Sequence, residues 1–210
     1  MALIELTLPV EIDEAWAHLR EPALIRRWFG WDYEGLDHEI EVIFLQEAAV
    51  DDVSHTLRWD DGMQEGDRIE LAGGGVETIL RVVRASGAEG YDDISEGWIS
   101  FAQQLRFALE RHRGEDRRTL RLSRSEGAGP RPGLTDAAAG ARYKTVAAGP
   151  ISGEVLFRME HQLGLTVDQL GDGLLLLTEK PGGGSASLTL TTYGAAQPDE
   201  AAWRAWWEEP

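Results

Sequence analysis

The chain has 210 residues, of which 42% are hydrophobic, and this length and composition predict one or two folded domains with a buried core. The formal net charge of -17 argues against binding to nucleic acids or anionic membrane surfaces, because both repel an acidic protein. The absence of cysteine excludes disulfides, thiolate nucleophiles and cysteine metal ligands. No apolar run reaches the roughly 20 residues of a membrane span, and the start does not resemble a signal peptide, so we expect a cytoplasmic protein without membrane insertion.

The N-terminal segment predicts a strand followed by two short helices. Residues 3–9 alternate apolar and polar side chains, as a half-buried strand does. Asp13 is the expected N-cap of a helix over residues 14–21. Pro22 is expected to begin the second helix and Gly30 to end it, because proline suits the first helical position and glycine the position after the last turn.

A β-meander is predicted to follow. Residues 38–45 are interpreted as a strand that places Ile40, Val42 and Phe44 on one face. The triple glycine at 73–75 suits the turn of a hairpin. Further strand segments are predicted at residues 54–59, 67–72 and 76–85. Apolar residues fall on both faces of the last segment, so we expect both faces to be covered.

Residues 93–112 predict a long amphipathic helix. Asp93 or Ser95 is the expected N-cap. Phe107 lies on the opposite side from the main apolar stripe, which indicates a second contact. At about 100° per residue, the stripe contains Trp98, Phe101, Ala102, Leu105, Ala108 and Leu109.

The second half of the chain repeats the order of the first. A loop rich in glycine, proline and alanine is predicted over residues 124–141. A second triple glycine, at 182–184, joins two of the strand segments that follow, and a tryptophan-bearing helix is predicted over 198–209. Strand segments are predicted at 153–164, 172–180 and 185–194. This repetition indicates a duplicated unit of β-meander plus helix, and we predict domains at 1–113 and 114–210.

Two segments of the first half carry a family resemblance: IRRWFGW at 25–31 and EGWISFAQQLRFALE at 96–110. Together with the strand, the helix pair and the meander, they resemble the START-like, helix-grip superfamily (SRPBCC). Within it, the chain looks most like the homologues of the heat-shock-protein ATPase activator. The resemblance covers about residues 1–113, and the family pattern supplies no invariant catalytic set.

The resemblance implies an α+β fold in which an antiparallel sheet wraps around a long C-terminal helix. A cavity is expected between sheet and helix, with the two short helices closing one end. The second half is interpreted as a degenerate second helix-grip unit, in which residues 134–143 are the only candidate for the helix pair. The two halves are also considered as sharing or completing one sheet.

The candidate ligand-binding residues are Trp28, Trp31, Trp59, Trp98, Phe101, Leu105 and Leu109. For the residues of the long helix, ordinary core packing is the simpler interpretation, and lining of the cavity is the functional one. Trp28 and Trp31 would lie at the mouth of the cavity, where an indole N–H can bind a polar ligand group.

Catalytic residues, metal ligands and cofactors are not predicted. The five histidines include no pair at the i, i+4 spacing of a helical metal site. His161 follows Glu160 on a predicted strand, so the two side chains are expected on opposite faces. Adjacent aspartates such as Asp92 and Asp93 are interpreted as solvated loop charge. The triple glycines lack the Lys-Ser/Thr of a phosphate loop.

Three functions remain open at this stage. The first is non-catalytic binding of a hydrophobic or aromatic small molecule in the cavity. The second, implied by the resemblance, is an accessory protein whose partner is a chaperone ATPase. The third, ranked last, is a cyclase-like or hydrolase-like enzyme, which would need a polar pair inside the cavity.

Overall fold

The computed structural model describes residues 2–61, 65–85, 90–124, 136–183 and 185–208. The chain divides into two compact units, Met1–Glu115 and Asp116–Pro210, called unit 1 and unit 2 below. Each unit has its own antiparallel sheet, so the expectation of one shared sheet is wrong. No helix in the described residues has the length and apolarity needed to cross a membrane.

The sheet of unit 1 has five antiparallel strands in the order β1-β5-β4-β3-β2. Its strands are β1 (Ala2–Leu8), β2 (Ala48–Asp51), β3 (Thr56–Trp59), β4 (Arg68–Gly73) and β5 (Thr78–Val83). In β1 the apolar residues Ile4, Leu6 and Leu8 are buried, while their neighbours face outward, as the period of two predicts. Gly73 pairs with Thr78, so the first triple glycine does lie at a hairpin turn.

The first helix of the pair is slightly longer than predicted, and the second ends well before Gly30. Helix α1 spans Ile12–Arg20, and its N-cap is Glu11, which makes no side-chain capping bond, so Asp13 lies inside the helix. Helix α2 spans Pro22–Ile25 and begins at the proline as predicted. Gly30 has φ of +64°, a backbone conformation that glycine adopts without strain.

The predicted strand at 38–45 is wrong. Helix α3 spans Leu36–Ile40 and continues directly into a π-helical segment, Glu41–Gln46. Leu36, Ile40 and Phe44 are all buried, and their spacing of four residues places them on one helical face. The alternation of Ile40, Val42 and Phe44 fitted a strand as well, and burial along the helical face decided the outcome.

Helix α4, Asp93–Arg111, is the long helix of unit 1 and packs against β1. Its N-cap is Asp92, whose carboxylate accepts a hydrogen bond from the Ser95 backbone N–H at 3.0 Å, so the predicted caps both lie inside the helix. The apolar stripe is buried except for Phe101, which is partly buried. Phe107 is also buried, as its predicted second contact requires.

Unit 2 contains six antiparallel strands in the order β6-β11-β10-β9-β8-β7. They are β6 (Arg117–Arg124), β7 (Arg142–Val146), β8 (Pro150–Arg158), β9 (Gln162–Val167), β10 (Gly173–Glu179) and β11 (Ala186–Tyr193). Helix α5, Glu200–Glu208, follows them. The predicted strand at 153–164 is in fact a hairpin, β8 to β9, that turns at residues 159–161.

The α+β helix-grip architecture is therefore confirmed, with a sheet and a following helix in each half. Unit 2 lacks the helix pair in residues 136–141, which have no helical structure before β7 begins. Most of the predicted loop at 124–141 lies outside the described residues, as do residue 184 of the second triple glycine and the last residue of the predicted 198–209 helix. The domain boundary at 113 stays a prediction.

Candidate functional site

Six aromatic side chains meet in the interior of unit 1 and form the candidate site, called the aromatic cluster. Its members are Trp28, Phe29, Phe44, Trp59, Trp98 and Phe101. They come from four parts of the chain that are distant in sequence: the segment after α2, the π-helical segment, β3 and α4. The cluster lies between α4 and the sheet, where the helix-grip architecture places its interior.

Phe44 is the centre of the aromatic cluster. Its ring centroid lies 4.9 Å from that of Phe29 and 5.7 Å from that of Trp28, both edge-on. The centroids of Trp59 and Trp98 each lie 6.2 Å from it. These separations are those that aromatic pairs favour. The rings therefore form one connected cluster in the interior of unit 1.

The π-helical segment holds this arrangement in place. The Ile43 carbonyl accepts a hydrogen bond from Trp59 Nε1 at 2.9 Å, and the Phe44 carbonyl accepts one from Arg20 Nη1 at 3.2 Å. Both carbonyls belong to the wide turn, which exposes backbone oxygens to side-chain donors. Such π-helical turns are rare and occur often at functional sites.

Two tryptophans of the aromatic cluster donate their N–H groups to the backbone. Trp28 Nε1 donates to the His18 carbonyl at 2.8 Å, just as Trp59 Nε1 donates to that of Ile43. Trp28 is only 1% exposed. Its N–H is thus engaged inside the protein, and its ring packs edge-on with those of Phe29 and Phe44.

Phe101 forms the rim of the aromatic cluster. It is the only partly buried member, and its centroid lies 4.7 Å from that of Phe29 and 6.2 Å from that of Trp98. Trp31 is half-buried and its ring contacts Tyr33, at a centroid distance of 6.3 Å. Burial and a hydrogen bond to Glu39 raise the pKa of Tyr33 to about 12, so its hydroxyl is neutral at ordinary pH.

Leu105 and Leu109 complete the predicted site residues. Both are buried in the same core as the aromatic cluster, at 0% and 4% exposure. They lie one and two helical turns beyond Phe101 on the stripe of α4. The structure thus brings six of the seven predicted residues, all except Trp31, into one core, in which the role of each as a ligand contact stays a prediction.

A buried ion network at the start of α4 was not predicted. Arg84 Nε lies 3.1 Å from Asp67 Oδ2, and Arg84 Nη1 lies 3.1 Å from Asp92 Oδ2. Asp67 also accepts a hydrogen bond from the Ala85 backbone N–H at 3.0 Å. The side chains of Asp67 and Arg84 are 2% and 7% exposed, and the Arg84 atoms are not aligned as hydrogen-bond donors, so attraction between charges carries this contact.

This network corrects the interpretation of Asp92 as solvated loop charge. Partial burial acts to raise the pKa of Asp92, but hydrogen bonds from Ser95 and the charge of Arg84 outweigh it and hold the pKa below its usual value. Asp92 is therefore a charged cap that ties α4 to the residues following β5. No spacing rule in the sequence joins positions 67, 84 and 92.

The described residues contain two histidine–carboxylate pairs with largely exposed carboxylates, and a third pair in which buried His112 lies 3.2 Å, Nδ1 to Oε1, from Glu115. His55 Nε2 is 3.8 Å from Asp13 Oδ1, whose side chain is 94% exposed. His161 Nε2 is 3.7 Å from Glu160 Oε1, so the expectation that these two side chains point apart is wrong, because both lie in the turn between β8 and β9. The described residues contain no group of three or more metal-ligating side chains.

No protein-family model matches the chain, and no match was found among curated proteins. Two solved structures align with most of it. DynU16, a protein of the dynemicin biosynthetic locus, is 17% identical with a TM-score of 0.36; the alignment covers 95% of this chain and 90% of that one. The di-domain ARO/CYC protein StfQ from the steffimycin biosynthetic pathway is 7% identical with a TM-score of 0.37, at the same coverage. At this level of similarity neither protein indicates what this chain binds or catalyses.

Proposed function

We propose that unit 1 binds an apolar aromatic small molecule at the aromatic cluster, without catalysing a reaction. The observation that carries the proposal is the convergence of six rings from four chain segments, five of them buried, around Phe44. Aromatic faces bind flat apolar compounds through offset and edge-on contacts.

The ligand enters at Phe101. This ring is the partly buried member of the cluster, and a change of its rotamer would open the cluster. The rings behind it, Phe29 and Trp98, then offer their faces to the ligand. Because Trp28 and Trp59 already donate to backbone carbonyls, the preferred ligand needs no hydrogen-bond acceptor.

The two alternatives make different demands. A chaperone accessory should bind a chaperone in a pull-down and accelerate its ATPase; neither a family model nor a curated relative supports this role. A cyclase-like enzyme needs an acid–base pair inside the interior. The pairs at His55 and His161 include carboxylates that are largely exposed, and buried His112 pairs with Glu115, whose side chain is 47% exposed.

The test uses the uncharged fluorescent probe N-phenyl-1-naphthylamine. We expect its emission to rise on binding and the melting temperature of the protein to increase with probe concentration. Phe101→Ala should weaken the affinity about tenfold through the loss of one ring contact and its buried area. Phe101→Leu keeps apolar volume but not the ring, so its affinity for the probe should lie between those of the unchanged protein and Phe101→Ala.

Trp16→Phe is the matched control, because Trp16 packs outside the aromatic cluster and its N–H binds Asp52. It should leave probe affinity unchanged. The proposal fails if no apolar probe changes fluorescence or melting temperature, or if the Phe101 and Trp16 variants weaken binding equally.

A further inference from the structure

One buried indole N–H of unit 2 has no hydrogen-bond partner among the described residues. Trp207 lies on α5, is 2% exposed and belongs to the core of unit 2. Among the residues that the structure describes, no acceptor lies within hydrogen-bond reach of its Nε1. A buried donor that stays unpaired destabilises a protein, so such groups in native structures indicate a missing acceptor.

A cationic side chain lies beside this donor. The Arg124 guanidinium carbon is 5.6 Å from the centroid of the Trp207 ring. Arg124 is half-buried, and within the described part of the chain no carboxylate forms an ion pair with it.

A small residue, Ala186, lies on the sheet next to Arg124. Ala186 on β11 pairs with Arg124 on one side and with Glu179 on the other. Residues paired directly across strands point to the same face of a sheet, and strands are about 4.8 Å apart. Arg124 and Glu179 therefore flank Ala186 about 10 Å apart, on the face that carries Trp207 and the rest of the core.

We propose that Trp207 and Arg124 form a second binding site, which takes an oxygen acceptor attached to an aromatic ring, such as an aryl carboxylate or aryl ketone. The oxygen accepts from Trp207 Nε1 and from the Arg124 guanidinium, and the aromatic body lies over Ala186. Glu179, on the same face, disfavours a second negative charge at the far end of the ligand. This site does not depend on the proposal for unit 1.

The test follows indole N–H resonances by NMR in the full chain with three probes: 2-naphthoate, 2-acetonaphthone and naphthalene. The Trp207 resonance is identified by its loss in Trp207→Phe. We expect it to shift downfield with naphthoate and with acetonaphthone, and the affinities to fall in the order naphthoate, acetonaphthone, naphthalene. Resonances of Trp28, Trp59 and Trp98 report binding in unit 1 separately.

The variants separate the two contacts. Trp207→Phe keeps an aromatic ring without the N–H and should weaken both oxygen-bearing probes about tenfold. Arg124→Gln should weaken naphthoate more than acetonaphthone, since only the former is charged, and Arg124→Lys should retain the preference for charge. Trp206→Phe, on the same helix but partly exposed, is the control and should change neither affinity.

A further measurement excludes an acceptor that belongs to the protein or to an internal water. Without probe, Trp207→Phe breaks no hydrogen bond if the proposal is right, so it should lower the melting temperature less than the same change at a tryptophan whose N–H is paired. A drop matching that of a paired tryptophan would overturn the proposal, as would equal binding of all three probes or an unmoved Trp207 resonance.

Discussion

The two units use tryptophan differently. In unit 1, Trp28 and Trp59 are buried with their N–H groups on backbone carbonyls, and their rings pack against other rings. In unit 2, Trp207 is buried as deeply, but its N–H has no acceptor among the described residues. The donors of Trp28 and Trp59 are thus satisfied by the core itself, whereas for the donor of Trp207 we propose an acceptor supplied by a ligand.

The largest expected effect comes from removing the centre of the aromatic cluster. Phe44→Ala should lower the free energy of unfolding by about 3–5 kcal/mol, because a buried ring is replaced by a void between its four ring neighbours. Urea unfolding measures it. Val53→Ala is the control, since Val53 is 93% exposed and should change stability very little. Equal effects of the two variants would contradict a packed centre at Phe44.

The next effect comes from the ion network that anchors α4. Arg84→Met should cost about 3 kcal/mol, because it leaves the Asp67 carboxylate buried without its counter-charge. Adding Asp67→Asn to Arg84→Met should recover part of the loss, since the stranded charge is then removed. If the double variant is less stable than Arg84→Met, the carboxylate of Asp67 is stabilised by something other than Arg84.

A smaller effect is expected from the cap of α4. Asp92→Ala should cost about 1–2 kcal/mol, because it removes both the N-cap and the ion pair with Arg84. Asp92→Asn keeps a good capping side chain and should cost less. Thermal or urea unfolding at neutral pH measures both.

The same variants have a defined pH dependence. The pKa of Asp92 is lower in the folded protein than its usual value, so the folded state binds this proton less readily than the unfolded chain does. Its contribution is therefore present above about pH 4, near the ordinary aspartate pKa, and is lost as the pH falls through the lowered value. Asp92→Asn should flatten this part of the stability profile. If the profile does not change, the stability lost at acid pH must come from other carboxylates.

The elements that the sequence predicted are those whose apolar residues repeat with a clear period, of two residues in a strand or 3.6 in a helix. The stripe of α4 was recognisable from Trp98 to Leu109, and β1 from its alternation. The segment 38–45 failed because its apolar residues fit both periods, and only packing of Phe44 against distant rings selects the helix. Strands β6 and β7 were not predicted, because arginine, lysine and threonine fill their outward positions.

The site depends on contacts that no local pattern contains. Phe29 and Phe44 became site residues only when the fold brought them to Trp98. Likewise, the sequence shows Trp207 as one of three tryptophans on a helix, and only the structure shows that no described residue accepts a hydrogen bond from its N–H. Whether a buried N–H finds an acceptor depends on the packing of the whole unit, so it cannot be predicted from composition or spacing.

The smallest expected effect tests the comparison between the tryptophans of the two units. Trp59→Phe and Trp207→Phe remove the same atoms from two deeply buried sites, but only the first breaks a hydrogen bond, the one to the Ile43 carbonyl. Trp59→Phe should therefore cost about 1 kcal/mol more than Trp207→Phe, in line with the net contribution of one hydrogen bond. Urea unfolding of both variants without ligand measures the difference. Equal costs would show that Trp207 has an acceptor after all, and the two units would then use tryptophan in the same way.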